Sequence, residues 1–396
     1  MDVGLDRLAG EESVSARIRG ASVGLLAHPA SVTRDLVHVR RVLDGLGVRP
    51  RIVFGPEHGY GGEAQDMIGV SDARDRDGTP VRSLYGDAFA DLSPRGEDLD
   101  GLDVLVVDLQ DVGSRYYTFV WTALLALRAC AAKGVRVLVL DRPNPIGGLA
   151  REGRRQEADF LSFVGLEATP VRHGLTLGEI LAWRAEIEGL PREALDVVAV
   201  RGLGRGADAS AWDRDFVAPS PNMPALATAL VYPGGCLVEG TNLSEGRGTT
   251  RPFELVGAPW LDGEALARDL AGVGLPGFVA RPVTFLPMFQ KHGKRVCGGV
   301  QLHVTDRSTF RPYATYLALV AIARRLGGES FSFRTERYEF VDDVPAFDLL
   351  TGSAEARTRI DALDDPRAIA DDLGRLRASD EEIASFALRA AETHSI

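Results

Sequence analysis

Short apolar runs alternate with helically spaced segments along the first half of the chain, the pattern of strands that cross over through helices into a mostly parallel sheet. Ser22 to Leu26 reads as the opening strand. Thr33 to Leu46 spaces its apolar residues as a helix and stops at Gly47, and Arg51 to Phe54 returns as a strand, completing one βαβ unit. Val104 to Val107 is a second buried-type run, Tyr117 to Ala132 a largely buried helix that ends at Gly134, and Val135 to Leu140 a further interior strand. Thr176 with Glu179 three residues on has capping-box spacing and opens a helix, after which Leu195 to Val200 reads as a strand. A stretch from Pro219 to Pro259 is rich in Gly, Pro, Asn and Thr. Beyond it the pattern predicts a helix from Gly263 to Leu270, a strand from Val296 to Val304, a helix from Ala314 to Leu326 and terminal helices after Asp365 and Ser379. The expected fold class is α/β, with a domain over residues 1–245 built on the parallel sheet and a smaller α+β domain over 246–396.

Composition narrows the class of partner. The 396 residues are 45% hydrophobic and 26% charged, near globular averages, which excludes a disordered, fibrous or membrane-spanning chain. With 45 basic and 56 acidic side chains the net charge is −11, which repels phosphate backbones and anionic lipids, so neither nucleic acid nor membrane is expected as a partner. Cys130, Cys236 and Cys297 are scattered singly and read as reduced core residues. Met1 to Gly20 carries Asp2, Asp6, Glu11 and Glu12 and no apolar run of signal-peptide length, so a cytoplasmic location is the expectation.

Ligands of open parallel sheets bind beyond the carboxyl ends of the strands. The strand ending at Phe54 runs into Gly55-Pro56-Glu57-His58-Gly59-Tyr60-Gly61-Gly62, a rigid turn carrying a carboxylate and an imidazole. Val107 runs into Asp108-Leu109-Gln110-Asp111, followed by Gly113, Arg115, Tyr116 and Tyr117, and Leu140 into Asp141-Arg142-Pro143-Asn144-Pro145. Asp141 accepts turn amides on one reading and contacts ligand on another, and Asp108 and Asp111 divide in the same way between helix capping and a site. Glu57 is harder to assign to turn chemistry, because glycines around it let a ligand approach. His58 is a ligand contact or a support for one; His28, after the first strand, lines a pocket or sits in a capped turn. The segment Glu239 to Phe253 adds Asn242, Glu245, Arg247, Thr249 and Arg251, a donor and acceptor set suited to a hydroxylated, anionic small molecule in a cleft between domains.

Familiar cofactor motifs are missing, and neither a cofactor nor a metal is expected. Gly59-Tyr60-Gly61-Gly62 lacks the third glycine of a dinucleotide turn and is followed by Glu63 and Asp66, which repel a pyrophosphate. Gly20-Ala21-Ser22-Val23-Gly24 matches GxSxG but opens a strand instead of forming an elbow.

Taken together and in this order, Gly55 to Gly59, Asp108 to Gly113 with Arg115 to Thr118, Asp141 to Pro145, Glu239 to Asn242 with Gly246 to Thr250, and Cys297 to Gln301 resemble the exo-β-N-acetylmuramidase family, DUF1343. The resemblance implies a Rossmann-like N-terminal domain, a smaller C-terminal domain, and a cleft between them that removes N-acetylmuramic acid from the non-reducing end of peptidoglycan-derived saccharides. It implies that Glu57 is the catalytic acid. Glu239, Asp108, Asp111, Glu245 or the substrate's own acetamido group stands as the second group of a glycoside hydrolysis. Arg247 and Arg251 are suited to a lactyl carboxylate. Two rival classes are a metal-dependent hydrolase built from His58 with Asp108, Asp111 or Asp141, and a muropeptide-binding protein without catalysis.

Overall fold

The computed structural model describes residues 1–65 and 68–396, so Asp66 of the glycine turn lies outside the described residues. Seven strands form the first sheet: β1 (Val23–Ala27), β2 (Ile52–Gly55), β3 (Ala73–Arg74), β4 (Pro80–Ser83), β5 (Val104–Asp108), β6 (Arg136–Leu140) and β7 (Leu195–Val198). Their spatial order is β3-β4-β2-β1-β5-β6-β7, parallel throughout except for β3 at one edge. β1 and β5 are wholly buried because helices cover both faces, which is why they read as unbroken apolar runs. The chain winds outward from β1 on one side and from β5 on the other, the doubly wound Rossmann-like arrangement, so a crevice is expected beyond the ends of β1 and β5.

The second sheet is antiparallel, ordered β8-β10-β9 from β8 (Leu255–Ala258), β9 (Phe278–Phe285) and β10 (Cys297–Val304). Helices Gly263–Gly272 and Pro312–Gly327 belong to this smaller half. β9 has no counterpart in the sequence reading, because Arg281 and Pro282 interrupt its apolar positions; it pairs only with β10, and an edge tolerates proline. Helix Leu226–Gly235 also has no counterpart in the sequence reading, since its last turn holds Pro233, Gly234 and Gly235 within a stretch rich in Gly and Pro.

Most other elements lie within two residues of expectation. The capping box forms as read, with the Thr176 hydroxyl accepting from the Glu179 N–H at 3.2 Å and the Glu179 carboxylate accepting from the Thr176 N–H at 2.9 Å. The exception is Thr33 to Leu46, where the helix spans only Val39–Gly45. Thr33 instead closes a turn by donating its N–H to the Val37 carbonyl, and Leu36 adopts a left-handed φ of 60° that a helix does not admit.

The two halves share one hydrophobic core that runs from Leu26 and Phe54 through Trp121 to Tyr316 and Phe347. Arg115 crosses it. Fully buried, it donates to the carbonyls of Arg154 (2.9 Å) and Thr169 (2.8 Å) on one side and of Leu350 (2.6 Å) on the other. Among the described residues no helix is long and apolar enough to cross a membrane.

Candidate active site

The first wall is the turn after β2. The Gly59 N–H donates to the Pro56 carbonyl at 2.9 Å, and His58, between Glu57 and Gly59, takes a φ of 71°. This is the type II pattern, in which position i+2 is normally glycine. A Cβ on Gly55 would come within 2.3 Å of the Tyr60 nitrogen, so the strand ends on a residue without one. The turn aims Glu57 at the start of helix Phe119–Ala132, where the Thr118 hydroxyl donates to its carboxylate at 2.6 Å. His58 donates from Nδ1 to the Ala64 carbonyl at 2.8 Å, which anchors the far side of the turn.

The second wall follows helix Leu226–Gly235. Arg247 donates to one oxygen of Glu239 at 2.7 Å, and the Tyr338 hydroxyl donates to the other at 2.7 Å. Lys291 lies 3.0 Å from Glu245 and donates to the carbonyls of Val238 (2.9 Å) and Leu243 (3.1 Å). Burial opposes the charged form of Glu239, but the Arg247 guanidinium, the Tyr338 hydroxyl and the Lys291 ammonium outweigh it and hold its carboxyl below the usual range. Glu239 is therefore an anion that fixes Arg247, whose guanidinium also lies 5.1 Å over the Phe253 ring.

The third wall is the turn Tyr338 to Val341, closed by the Val341 N–H on the Tyr338 carbonyl at 3.0 Å. Both central residues, Glu339 (φ 45°) and Phe340 (φ 70°), are left-handed without being glycine. The Tyr85 hydroxyl donates to the Glu339 carboxylate at 3.2 Å. The three walls enclose a cavity of about 30 Å³, lined by Glu57, His58, Glu239, Arg247 and Glu339 with Tyr116, Tyr117 and Tyr232 between them. Burial raises the pKa of all three phenols well above normal, so they remain protonated. Ligand sites usually offer roughly 300–1,000 Å³, well above this volume.

The other residues singled out from the sequence lie elsewhere, for reasons visible in their bonds. His28 is not on the cavity wall; it fills the crevice between β1 and β5, where Nε2 accepts from the Gln110 N–H at 2.9 Å and Nδ1 faces the Pro219 carbonyl at 3.3 Å. Burial and the nearby Arg142 drive its pKa down to about 3, so it is neutral. Asp108 and Arg142 form a buried two-pronged ion pair, with Nη2 2.9 Å from the carboxylate. Asp111 accepts from the Gly113 N–H at 2.7 Å and faces His173 at 3.4 Å. Asn144 closes its own turn by accepting from the Ile146 N–H and donating to the Leu175 carbonyl. Asn242 pins residues 330–332, Thr249 closes a turn on Gly246, and Arg251 is half exposed beside Glu254. Arg115 serves the core as described above. The trio His58, Asp108 and Asp111 or Asp141 is dispersed in this way, and among the described residues no three His, Cys, Asp or Glu side chains converge as a metal site.

Asp141 caps helix Leu177–Ile187, accepting from the Thr176 hydroxyl at 2.7 Å and the Gly178 N–H at 2.9 Å. Burial outweighs those bonds and pushes its pKa up to about 7 from 3.8. The folded chain therefore holds this proton more tightly than the unfolded chain, and the stability it contributes is complete below pH 3.8 and lost as the pH rises through 7. Asp141→Asn, neutral at every pH, should lose less stability than the wild type between pH 5 and pH 8 in urea titrations. Equal losses would show that Asp141 does not hold its proton.

Residues 23–227 match the profile described as exo-β-N-acetylmuramidase NamZ, N-terminal, and residues 230–386 the one described as exo-β-N-acetylmuramidase NamZ, C-terminal. The chain belongs to the NamZ family. It is 39% identical over 348 residues to the peptidoglycan β-N-acetylmuramidase NamZ of Bacillus subtilis (strain 168), a match covering 87% of this chain and 81% of that one. Two crystal structures of DUF1343 family proteins from Bacteroides fragilis NCTC 9343 share the fold. One has TM-score 0.85 and 29% identity, covering 99% of this chain and 98% of that one; the other has TM-score 0.73 and 23% identity, covering 98% of each. Thr118, Tyr338 and Glu339 line the cavity and Tyr85 bonds Glu339, and none of the four is among the candidates read from the sequence. The only local trace of Tyr338 and Glu339 is an acid between aromatics in Tyr338-Glu339-Phe340, far from any strand end of the parallel sheet.

Proposed function

We propose that this chain is a glycoside hydrolase that releases N-acetylmuramic acid from the non-reducing end of peptidoglycan fragments, with Glu57 as the acid that protonates the leaving oxygen. The observation that carries the reading is the enclosure of Glu57 and Arg247 in one cavity, a proton donor beside a cation of the kind a lactyl ether carboxylate requires. Arg247 rather than the half-exposed Arg251 is the residue that reads the lactyl group. Glu239 and Glu245 hold the guanidinium in place, so it meets the substrate with its orientation already set.

The test compares a chromogenic β-N-acetylmuraminide with the matching glucosaminide, which lacks only the lactyl ether. Wild type should cleave the muraminide and leave the glucosaminide nearly untouched. Arg247→Lys keeps the charge but loses the planar fork, and should lower kcat/KM for the muraminide by about ten- to a hundredfold, with little effect on residual glucosaminide cleavage. An unchanged ratio of the two rates would remove Arg247 from lactyl recognition, and failure of the wild type to cleave the muraminide would remove the proposed activity.

A further inference from the structure

A glycosidase commonly needs a second carboxylate besides its acid, and the cavity offers two besides Glu57. Glu239 is already committed: both of its oxygens are occupied, one by Arg247 and one by Tyr338, in a cluster where the cations Arg247 and Lys291 match the anions Glu239 and Glu245. Its role is to hold the arginine. Glu339, which accepts from the Tyr85 hydroxyl, is the other, and three features mark it. It comes from the smaller half of the chain, so it faces the cavity from a wall other than that of Glu57. It is 4% exposed, a degree of burial that a surface turn gives no reason for. It also sits at a φ of 45° beside Phe340 at 70°, a backbone that glycine or asparagine would adopt at less cost, and such outliers gather at functional sites.

Building on the glycosidase reading above, we propose that Glu339 is the second catalytic carboxylate, the anion that faces the anomeric carbon while Glu57 serves the leaving oxygen. Glu57 gives its proton to the glycosidic oxygen, and the electron pair of the breaking C1–O bond leaves with that oxygen. The positive charge that grows on C1 meets the Glu339 carboxylate. Water then supplies its oxygen to C1 and returns one proton to Glu57, so the products are the free sugar and the released alcohol, and Glu339 ends the cycle as the carboxylate it was at the start. The Tyr85 hydroxyl positions that carboxylate, and the strained turn holds it against the cavity.

The test uses the full chain and the chromogenic muraminide. Glu339→Gln, which retains the shape and removes the charge, should lower kcat by about 10²- to 10⁴-fold while KM changes by less than about fivefold. Glu339→Gly removes the whole side chain but relaxes the left-handed backbone, so its urea midpoint should be at or above that of the Gln variant while its activity is at least as low. Added azide or formate should restore turnover of the Gly variant at least tenfold by replacing the missing anion, and should leave the Gln variant, whose site is still filled, unchanged. A purely structural glutamate gives no such rescue. If wild type hydrolyses the muraminide and Glu339→Gln retains more than a tenth of its kcat, or if the Gly variant is inactive and not rescued, the assignment to Glu339 is overturned while the glycosidase reading stands. Failure of wild type on the muraminide overturns both.

Discussion

Glu57→Gln should leave the fold intact and lower kcat on a β-N-acetylmuraminide by about 10²- to 10⁴-fold, the usual loss when a positioned proton donor is removed. The amide oxygen of glutamine can still accept from the Thr118 hydroxyl, which now bonds the Glu57 carboxylate at 2.6 Å, so the turn and the helix start that it meets keep their link. What disappears is the acidic proton. Circular dichroism and the urea midpoint should match the wild type, and the loss should be smaller on substrates whose leaving group departs without protonation. Near-wild-type turnover of an alkyl muraminide would show that another group supplies the proton.

The largest effect on stability is expected at Asp108. Its carboxylate and the Arg142 guanidinium are both buried, and each neutralises the other at the ends of neighbouring strands β5 and β6. Asp108→Ala leaves a buried guanidinium without its counter-charge, which costs roughly 3–5 kcal/mol. That is a large share of the 5–15 kcal/mol that keeps a typical domain folded. A double variant, Asp108→Ala with Arg142→Met, removes both charges and should recover much of the loss, because the penalty comes from the unpaired ion more than from the lost attraction. If urea titration finds the double variant as unstable as the sum of the two single ones, the pair is not coupled in the way its geometry indicates.

The Asp108 pair also shows where sequence reading stops. The strand ends, the capping box at Thr176 and the turn carrying Glu57 depend on neighbours a few residues away, and all were legible. Asp108, Asp141 and Arg142 were equally visible as polar residues at strand ends. Whether such a group faces a ligand or another part of the chain depends on partners 34 or more residues distant, and here the chain supplies them. The same distance hid Glu339, whose partner Tyr85 is 254 residues away. The arginines of the Gly246 segment show both outcomes at once, since Arg247 turns inward to the cavity and Arg251 outward, and only the packing of Phe253 and Glu239 decides between them.

The enclosure of the cavity by three separate walls bears on where along a glycan the enzyme can cut. A groove open at both ends lets a polymer lie across it and be cleaved at any link. Here Glu57 shares a recess of about 30 Å³ with the buried Arg247–Glu239 pair and the Glu339 turn, a space too confined for a polymer to lie across. Because the Glu339 turn forms one of the walls, the loop that carries a carboxylate into the cavity also bounds the space a glycan can occupy.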